Sequence, residues 1–263
     1  GVIMTTVSVK KLISDCQKIL KSKGIENSRF ESSLIIQRSI KKTSVDLLLN
    51  PEMDISLKMK KRIFKKIYNR TEGKPVSKIF GNKEFFSNKF FVNSFVLDPR
   101  PESELIVELI INYCKKRQEN KISILELGLG SGCLIISILK ELQNFSVSGL
   151  GVDLSCEALE VAKKNKKRFR LNEVLKIKKS NWFSNVKKKY DIIFSNPPYI
   201  RSNEINKLSK EVKLFDPIIA LDGGLSGLNS YSEIASKAKY YLNKNGIIFL
   251  ELGEGQLNQV NRI

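Results

Sequence analysis

The chain has 263 residues, 41% hydrophobic and 28% charged, enough for one large domain or two smaller ones with their own cores. It contains no histidine, and its four cysteines, Cys16, Cys114, Cys133 and Cys156, form no CxxC pair. Ser-His and Cys-His triads and imidazole acid–base chemistry are thereby excluded, and neither a zinc site nor a disulfide framework is suggested.

In chain order, Gly1-Val2-Ile3 ahead of Met4 reads as an expression remnant. Val9, Leu12, Ile13, Cys16, Ile19 and Leu20 then recur at helical spacing, and Gly24 stops the run. Asn27-Ser28 is placed to cap a second helix carrying Phe30, Leu34, Ile35 and Ile40. Thr43-Ser44 introduces a short apolar turn, Val45 to Leu49, which Pro51 interrupts. A further helix over roughly Ser56 to Asn69 sets Ile63, Phe64, Ile67 and Tyr68 on one face and lysines on the other. Residues 1–75 are therefore expected to form a small helical bundle. Gly73-Lys74-Pro75 breaks the pattern, and alternation from Lys83 to Leu97 around Ser87-Asn88 suggests a β-hairpin connector within 76–98.

Residues 99–263 change texture. Short apolar runs (Ile122–Leu127, Val147–Val152, Val174–Ile177, Ile192–Ser195, Gly246–Leu252) alternate with helical patterns (Leu134–Leu142, Cys156–Asn165, Tyr231–Leu242). This predicts an α/β fold with a mostly parallel, Rossmann-like sheet covered on both faces. No apolar run approaches the ~20 residues that span a bilayer, and no signal peptide is recognisable, so no membrane association and a reducing, cytoplasmic setting are expected. The formal charge of +19 suits an acidic partner such as nucleic acid, a ribosomal complex or an acidic protein. It suits a lysine-rich solvated surface equally well, so charge alone decides nothing.

The run Glu126-Leu127-Gly128-Leu129-Gly130-Ser131-Gly132 follows the first strand and opens a helix. Its glycines permit a tight turn and close approach of backbone to a ligand at a helix N-terminus. The spacing is GxGxG, one residue short of the dinucleotide fingerprint. Asp153 ends the second strand, where a carboxylate can accept both ribose hydroxyls of a nucleoside. A ligand with a ribose and no phosphate suits this loop, and S-adenosylmethionine (SAM) is of that kind, with Glu126 placed to attract its ammonium group. Asn196-Pro197-Pro198-Tyr199 ends the fourth strand, which sheet logic sets beside the first at the ligand crevice. Two acceptors, the Asn196 side-chain oxygen and the Pro197 carbonyl, can grip an NH2 group and turn its lone pair toward a methyl donor. Prolines offer carbonyls without competing N–H donors, and Tyr199 offers a flat wall. Positioning and electrostatics then suffice without a strong base.

At these residues the chain resembles the bacterial protein-(glutamine-N5) methyltransferases that modify peptide chain release factors. The resemblance runs through the helical N-terminal part, Gly81-Asn82-Lys83-Glu84-Phe85-Phe86, Asp98-Pro99-Arg100-Pro101-Glu102-Ser103-Glu104 and the glycine loop. It continues through Ser180-Asn181-Trp182-Phe183, Asn196 to Tyr199, and Asp216-Pro217 through Ala220-Leu221-Asp222-Gly223-Gly224. It implies a class I SAM-methyltransferase fold with the N-terminal bundle docking substrate. It implies cofactor contacts from Gly128 to Gly132, Asp153, Trp182 and Asn196, and binding of the target glutamine of a Gly-Gly-Gln segment by Asn196, Pro197, Pro198 and Tyr199. Release factors are the implied partners, no metal is involved, and a monomer is expected. The family's usual Asp and Thr are here Glu126 and Leu129, which touches any contact made through that hydroxyl and leaves the backbone cradle. The chain stops at Ile263, shortly after the fifth strand, where the family normally adds a strand pair. Truncation or sequence degradation is expected, with strand five exposed at the sheet edge. The same tetrapeptide also serves adenine N6-methyltransferases acting on DNA or RNA, which the charge would allow. A non-catalytic RNA- or ribosome-binding protein on the same scaffold is a third class.

Overall fold

The computed structural model describes residues 6–117 and 121–263; the reading of Gly1-Val2-Ile3 as a remnant lies outside the described residues. The chain divides into two compact units, one ending at Phe80 and the other beginning at Gly81.

In the first unit, helix α1 (Val9–Ser22) begins where Ser8 Oγ accepts the Lys11 N–H at 3.3 Å and ends ahead of Gly24, whose φ is +78°. It buries Val9, Leu12, Cys16 and Leu20 against Ile35 and Ile36 of α2 (Ser28–Ile40) and Ile63 and Ile67 of α4 (Leu57–Thr71). Burial pushes the Cys16 thiol up to about 12, so it behaves as an apolar side chain. The short α3 (Ser44–Leu49) starts with a capping box between Thr43 and Asp46, and Ser56 caps α4. A three-residue strand β1 (Thr6–Ser8) pairs antiparallel with β2 (Asp54–Ser56), and Val76–Phe80 forms α5.

The helices differ in detail from their sequence pattern. Asn27 sits at the start of α2 but makes no side-chain capping bond. Phe30, read among the apolar residues of α2, and Tyr68, set with Ile63 and Ile67 on one face of α4, are 69% and 56% exposed, whereas Ile36 is buried beside Ile35. In α3 only Leu47 is buried.

The second unit opens with a hairpin of β3 (Asn82–Phe85) and β4 (Asn88–Phe91). Phe86 and Ser87 at its turn both have positive φ, the geometry that matches the right-handed twist of two-residue hairpins. Its strands are four residues each, shorter than the alternation to Leu97 suggested. Helix α6 (Glu104–Lys116) was not anticipated. The parallel sheet then runs through β5 (Ile122–Leu127), α7 (Cys133–Glu141), β6 (Val147–Asp153), α8 (Cys156–Arg168), β7 (Leu175–Lys179) and β8 (Tyr190–Ser195). It closes with α9 (Lys210–Phe215), α10 (Asn229–Ala238), β9 (Leu242–Leu250) and α11 (Leu257–Val260). Strand order is β7-β6-β5-β8-β9 with all pairs parallel, as the α/β pattern predicts.

Successive residues of the central strands feed two cores, as the pleat requires. Ile124, Ile192 and Phe194 pack with α6 and α7; Leu125, Leu127 and Ile193 pack with Phe183 and with Ile234 and Ala238 of α10. No residue of β9 is fully buried, in keeping with its place at the sheet edge. The order places β5 between β6 and β8, so connections leave it in opposite directions and a crevice opens beyond the carboxyl ends of β5 and β8.

Candidate active site

The loop after β5 is shaped by Gly128, Gly130 and Gly132, whose φ values are +73°, +55° and +80°. That conformation is costly for any side chain with a Cβ. Leu129 N–H donates to the Val152 carbonyl at 2.9 Å, tying the loop to β6. The Leu129 side chain, 3% exposed, lies over Gly151, where an added Cβ would come within 2.4 Å of its Cδ1. The hydroxyl that Leu129 lacks is thus replaced by an apolar lock, and the backbone cradle is intact.

Asp153 closes β6 as a receptor for backbone donors. Its Oδ2 accepts Gly130 N–H at 2.8 Å and its Oδ1 accepts Ser155 N–H at 2.9 Å. Each carboxylate oxygen keeps a lone pair for a further hydroxyl. Glu126 is 1% exposed and accepts Ile135 N–H from the first turn of α7 at 3.3 Å. Burial raises its pKa well above the usual carboxylate range; the helix N–H opposes the shift and the Asp153 charge adds to it. Cys133 beside it is pushed up to about 12, chiefly by burial, and is no nucleophile.

Trp182 reaches the same crevice through a left-handed turn, φ +50°. Ser180 fixes that turn: its Oγ donates to the Trp182 carbonyl at 2.6 Å and accepts Asn185 N–H at 2.9 Å, while its N–H donates to the Asp153 carbonyl at 3.0 Å. The indole is partly buried against the cluster that holds the stacked Phe183–Tyr241 pair.

At the tip of β8, Ser195 Oγ donates to the Leu127 carbonyl at 2.7 Å, locking the ends of β8 and β5 together. Asn196 follows, its Nδ2 directed at Ser103 Oγ at 3.4 Å. Among the described residues nothing donates to Asn196 Oδ1 or to the Pro197 carbonyl. The tetrapeptide is braced by the 221–224 segment: Ile200 N–H donates to the Leu221 carbonyl at 3.0 Å and Gly223 N–H to the Ile200 carbonyl at 2.7 Å. Only a residue without a Cβ fits at 223, where one would sit 2.8 Å from Tyr199 Cα and 2.9 Å from the Pro198 carbonyl oxygen.

Glu126, Gly128, Leu129, Gly130, Ser131, Asp153, Trp182, Asn196 and Pro198 line one cavity of about 300 Å³. Three expected site residues do not. Gly132 lies beneath the loop, where an added Cβ would meet Ile136 at 3.1 Å and Ala162 at 3.5 Å. Pro197 is buried. Tyr199 lines two neighbouring depressions, with Gly253 and with Glu251, and its pKa is raised, first by burial and then by the Glu251 charge. The sequence reading overlooked Phe95 to Leu97, Ile219 and Ser230 on the cavity wall, as well as Glu251 behind Ser103 at 2.7 Å.

The cradle fits a nucleoside ligand. An added Cβ on Gly130 would meet nothing within 4 Å, so the loop backbone is open on that side, with the Asp153 carboxylate beside it.

Comparison with known proteins agrees with this geometry. Residues 103–214 match the family model "Methyltransferase small domain", and residues 11–81 match "PrmC N-terminal domain". The "Bifunctional methyltransferase" of Rickettsia bellii is 37% identical over 97% of this chain, which spans only 50% of that protein's length. The "Release factor glutamine methyltransferase" of Agrobacterium fabrum is 35% identical over 98% of this chain and 89% of its own length. Among solved structures, the hMettl16 catalytic domain in complex with MAT2A 3'UTR hairpin 6 superposes with a TM-score of 0.54 at 14% identity, covering 80% of this chain and 74% of that one. This last likeness shows a shared methyltransferase fold and nothing about substrate. The sequence match runs through both units and nearly the full length of the Agrobacterium protein, and on that ground the chain belongs to the release factor glutamine methyltransferase family.

Proposed function

We propose that this chain transfers a methyl group from SAM to the side-chain amide nitrogen (N5) of the glutamine in the Gly-Gly-Gln segment of peptide chain release factors. The observation that carries this reading is the juxtaposition of Asn196, with an unused side-chain oxygen, and the Gly128–Asp153 cradle on one cavity, in a chain whose relatives bear that name.

SAM supplies an electrophilic methyl group on a sulfonium. Gly128 to Gly132 and Asp153 hold its nucleoside end, and Trp182 covers it. Glu126 is the acid facing its amino group, and a nearby cation would oppose the burial that raises its pKa. The Asn196 oxygen and the Pro197 carbonyl accept the two N–H bonds of the target amide. That grip fixes the amide plane and turns the face of its nitrogen toward the methyl group. Among the described residues no helix is long and apolar enough to cross a membrane, and no cluster of acidic, cysteine or histidine side chains could hold a metal.

The test offers release factor, DNA and RNA oligonucleotides side by side with labelled SAM. The expected result is label in release factor, lost when its Gly-Gly-Gln glutamine is changed to asparagine. Label in nucleic acid with none in release factor would establish the adenine reading instead, and failure to bind SAM in calorimetry would remove enzyme function altogether.

A further inference from the structure

Asn196 is held from behind by two residues that take no part in the cofactor loop. Its Nδ2 faces Ser103 Oγ at 3.4 Å, and Ser103 Oγ donates to Glu251 Oε2 at 2.7 Å. Ser103 is 1% exposed, so water does not compete for its hydroxyl. Glu251 is anchored to the same strand end that carries Asn196: its N–H donates to the Ser195 carbonyl at 3.1 Å, and its carbonyl accepts the Tyr231 O–H at 2.8 Å.

A serine hydroxyl has one proton. With that proton committed to a carboxylate, Ser103 presents only lone pairs toward Asn196. The NH2 end of the asparagine amide can meet lone pairs; its oxygen cannot. The amide is thereby held with Oδ1 available to the cavity, the orientation in which it accepts from a substrate NH2. Were the hydroxyl free to donate, the opposite flip would be equally good, and it would present an NH2 to an NH2.

We propose that Ser103 and Glu251 are a positioning pair that sets the flip of the Asn196 amide and so decides that the site grips an amino group. This rests on the methyl-transfer reading above. The groups facing Glu251 bear on its charge. Burial raises its pKa, the Ser103 hydrogen bond opposes that shift, and the Glu102 carboxylate adds to it. The Arg100 guanidinium and the Tyr199 and Tyr231 phenols border the same carboxylate. Protonated Glu251 would be able to donate to Ser103, which frees the serine proton for Asn196 Oδ1 and undoes the flip. Acidification through the Glu251 titration therefore lowers transfer.

The experiment measures kcat, the release factor KM and the SAM Kd for Ser103→Ala, Ser103→Thr and Glu251→Gln. It also follows the side-chain amide 1H–15N resonances of Asn196, identified by their loss in Asn196→Ala. Ser103→Ala and Glu251→Gln should each lower kcat about 10-fold, the worth of one charge-assisted hydrogen bond. KM and Kd should stay within about 3-fold, because the amide grip is one contact among the many that bind release factor and SAM, while its orientation acts at the reacting nitrogen. Ser103→Thr keeps the hydroxyl and should restore the rate. In the parent chain the Asn196 resonances should move as Glu251 titrates; in Ser103→Ala they should not. Parent-like kcat in Ser103→Ala and Glu251→Gln, equal loss in Ser103→Thr and Ser103→Ala, or Asn196 resonances indifferent to pH would each overturn the pair. If the parent chain methylates no release factor while its Asn196 resonances follow pH through Ser103, the substrate reading fails and the pair stands.

Discussion

Gly151→Ala probes the contact through which this chain departs most from the usual loop. A Cβ at 151 would come within 2.4 Å of Leu129 Cδ1, 2.9 Å of Cδ2 and 3.1 Å of Cγ. All three approaches fall on one side chain, which is 3% exposed and can yield only by turning into the cavity it lines. Inserting one methyl against a packed core costs about 1–3 kcal/mol, and here the strain acts on the residue that ties the cofactor loop to β6. Leu129→Ala alone removes most of a buried leucine and costs about 2–5 kcal/mol. In the double variant the new methyl fills part of the space the leucine left, so the combined loss should fall short of the sum by about 1 kcal/mol or more. The assay is urea unfolding followed by tryptophan fluorescence: Trp182 is the only tryptophan and lies on the cavity wall, so the signal reports the second unit. SAM affinity is read on the same samples. An unchanged midpoint in Gly151→Ala, or strictly additive losses in the double variant, would refute the claim that Leu129 is packed on Gly151.

Asn196→Ala should weaken SAM binding only modestly while methyl transfer falls about 100-fold or more, as for loss of a group acting on the reacting centre; calorimetry and labelled methyl incorporation separate the two effects. Glu126 has a raised pKa in the folded chain, so the folded state binds its proton more tightly than the unfolded state. Its contribution to stability is therefore greatest below the ordinary carboxylate pKa and declines as pH rises through the elevated folded value. Glu126→Gln should flatten that decline and leave stability at neutral pH equal to or above the parent chain, measured as urea midpoints against pH. In the first unit, Arg70 and Glu31 form a two-pronged pair at 2.6 and 3.3 Å with side chains 8% and 18% exposed. Glu31→Ala leaves a buried guanidinium without this counter-charge and should cost about 3 kcal/mol, seen as an earlier loss of helical circular dichroism.

Much of the second unit was legible because its signals are local. Short, mostly apolar runs such as Ile122–Leu127, alternating with helical patterns, read as strands covered on both faces, and that strand is observed over the same residues. The Gly128–Gly132 loop and Asp153 were readable because each lies within a few residues of a strand end. Helix α6 was missed because its apolar residues spread beyond one face: Leu105 and Leu109 are 61% and 48% exposed while Ile106, Val107 and Ile110 are buried, which blurs a 3.6-residue period. Phe30 lies on α2 as its pattern suggests but stays 69% exposed, since periodicity finds an apolar stripe without showing what covers it. Strands β1 and β2 are three residues each, too short for alternation to register. Ser103 and Glu251 were beyond reach, because their hydrogen bond joins positions 148 apart in sequence and nothing local in either segment names the other.

Under the proposed amide methylation, the absence of histidine has a positive account. An amide nitrogen that has gained a methyl group is a strong acid until it loses a proton, so its deprotonation needs an acceptor in place and no tuned base. In the proposed reading that proton leaves to water, and Asn196 Oδ1 and the Pro197 carbonyl serve only as the hydrogen-bond acceptors that grip the N–H bonds. What such a site does require is that both present oxygen and neither presents N–H. Proline satisfies this at 197 by having no amide hydrogen. Asparagine has both an oxygen and an NH2 on one rotatable end, and so needs a neighbour to choose between them. A carboxylate acting through a single hydroxyl makes that choice with one proton, which is why the ionisable group that matters for Asn196 stands one residue behind the reacting centre rather than in it.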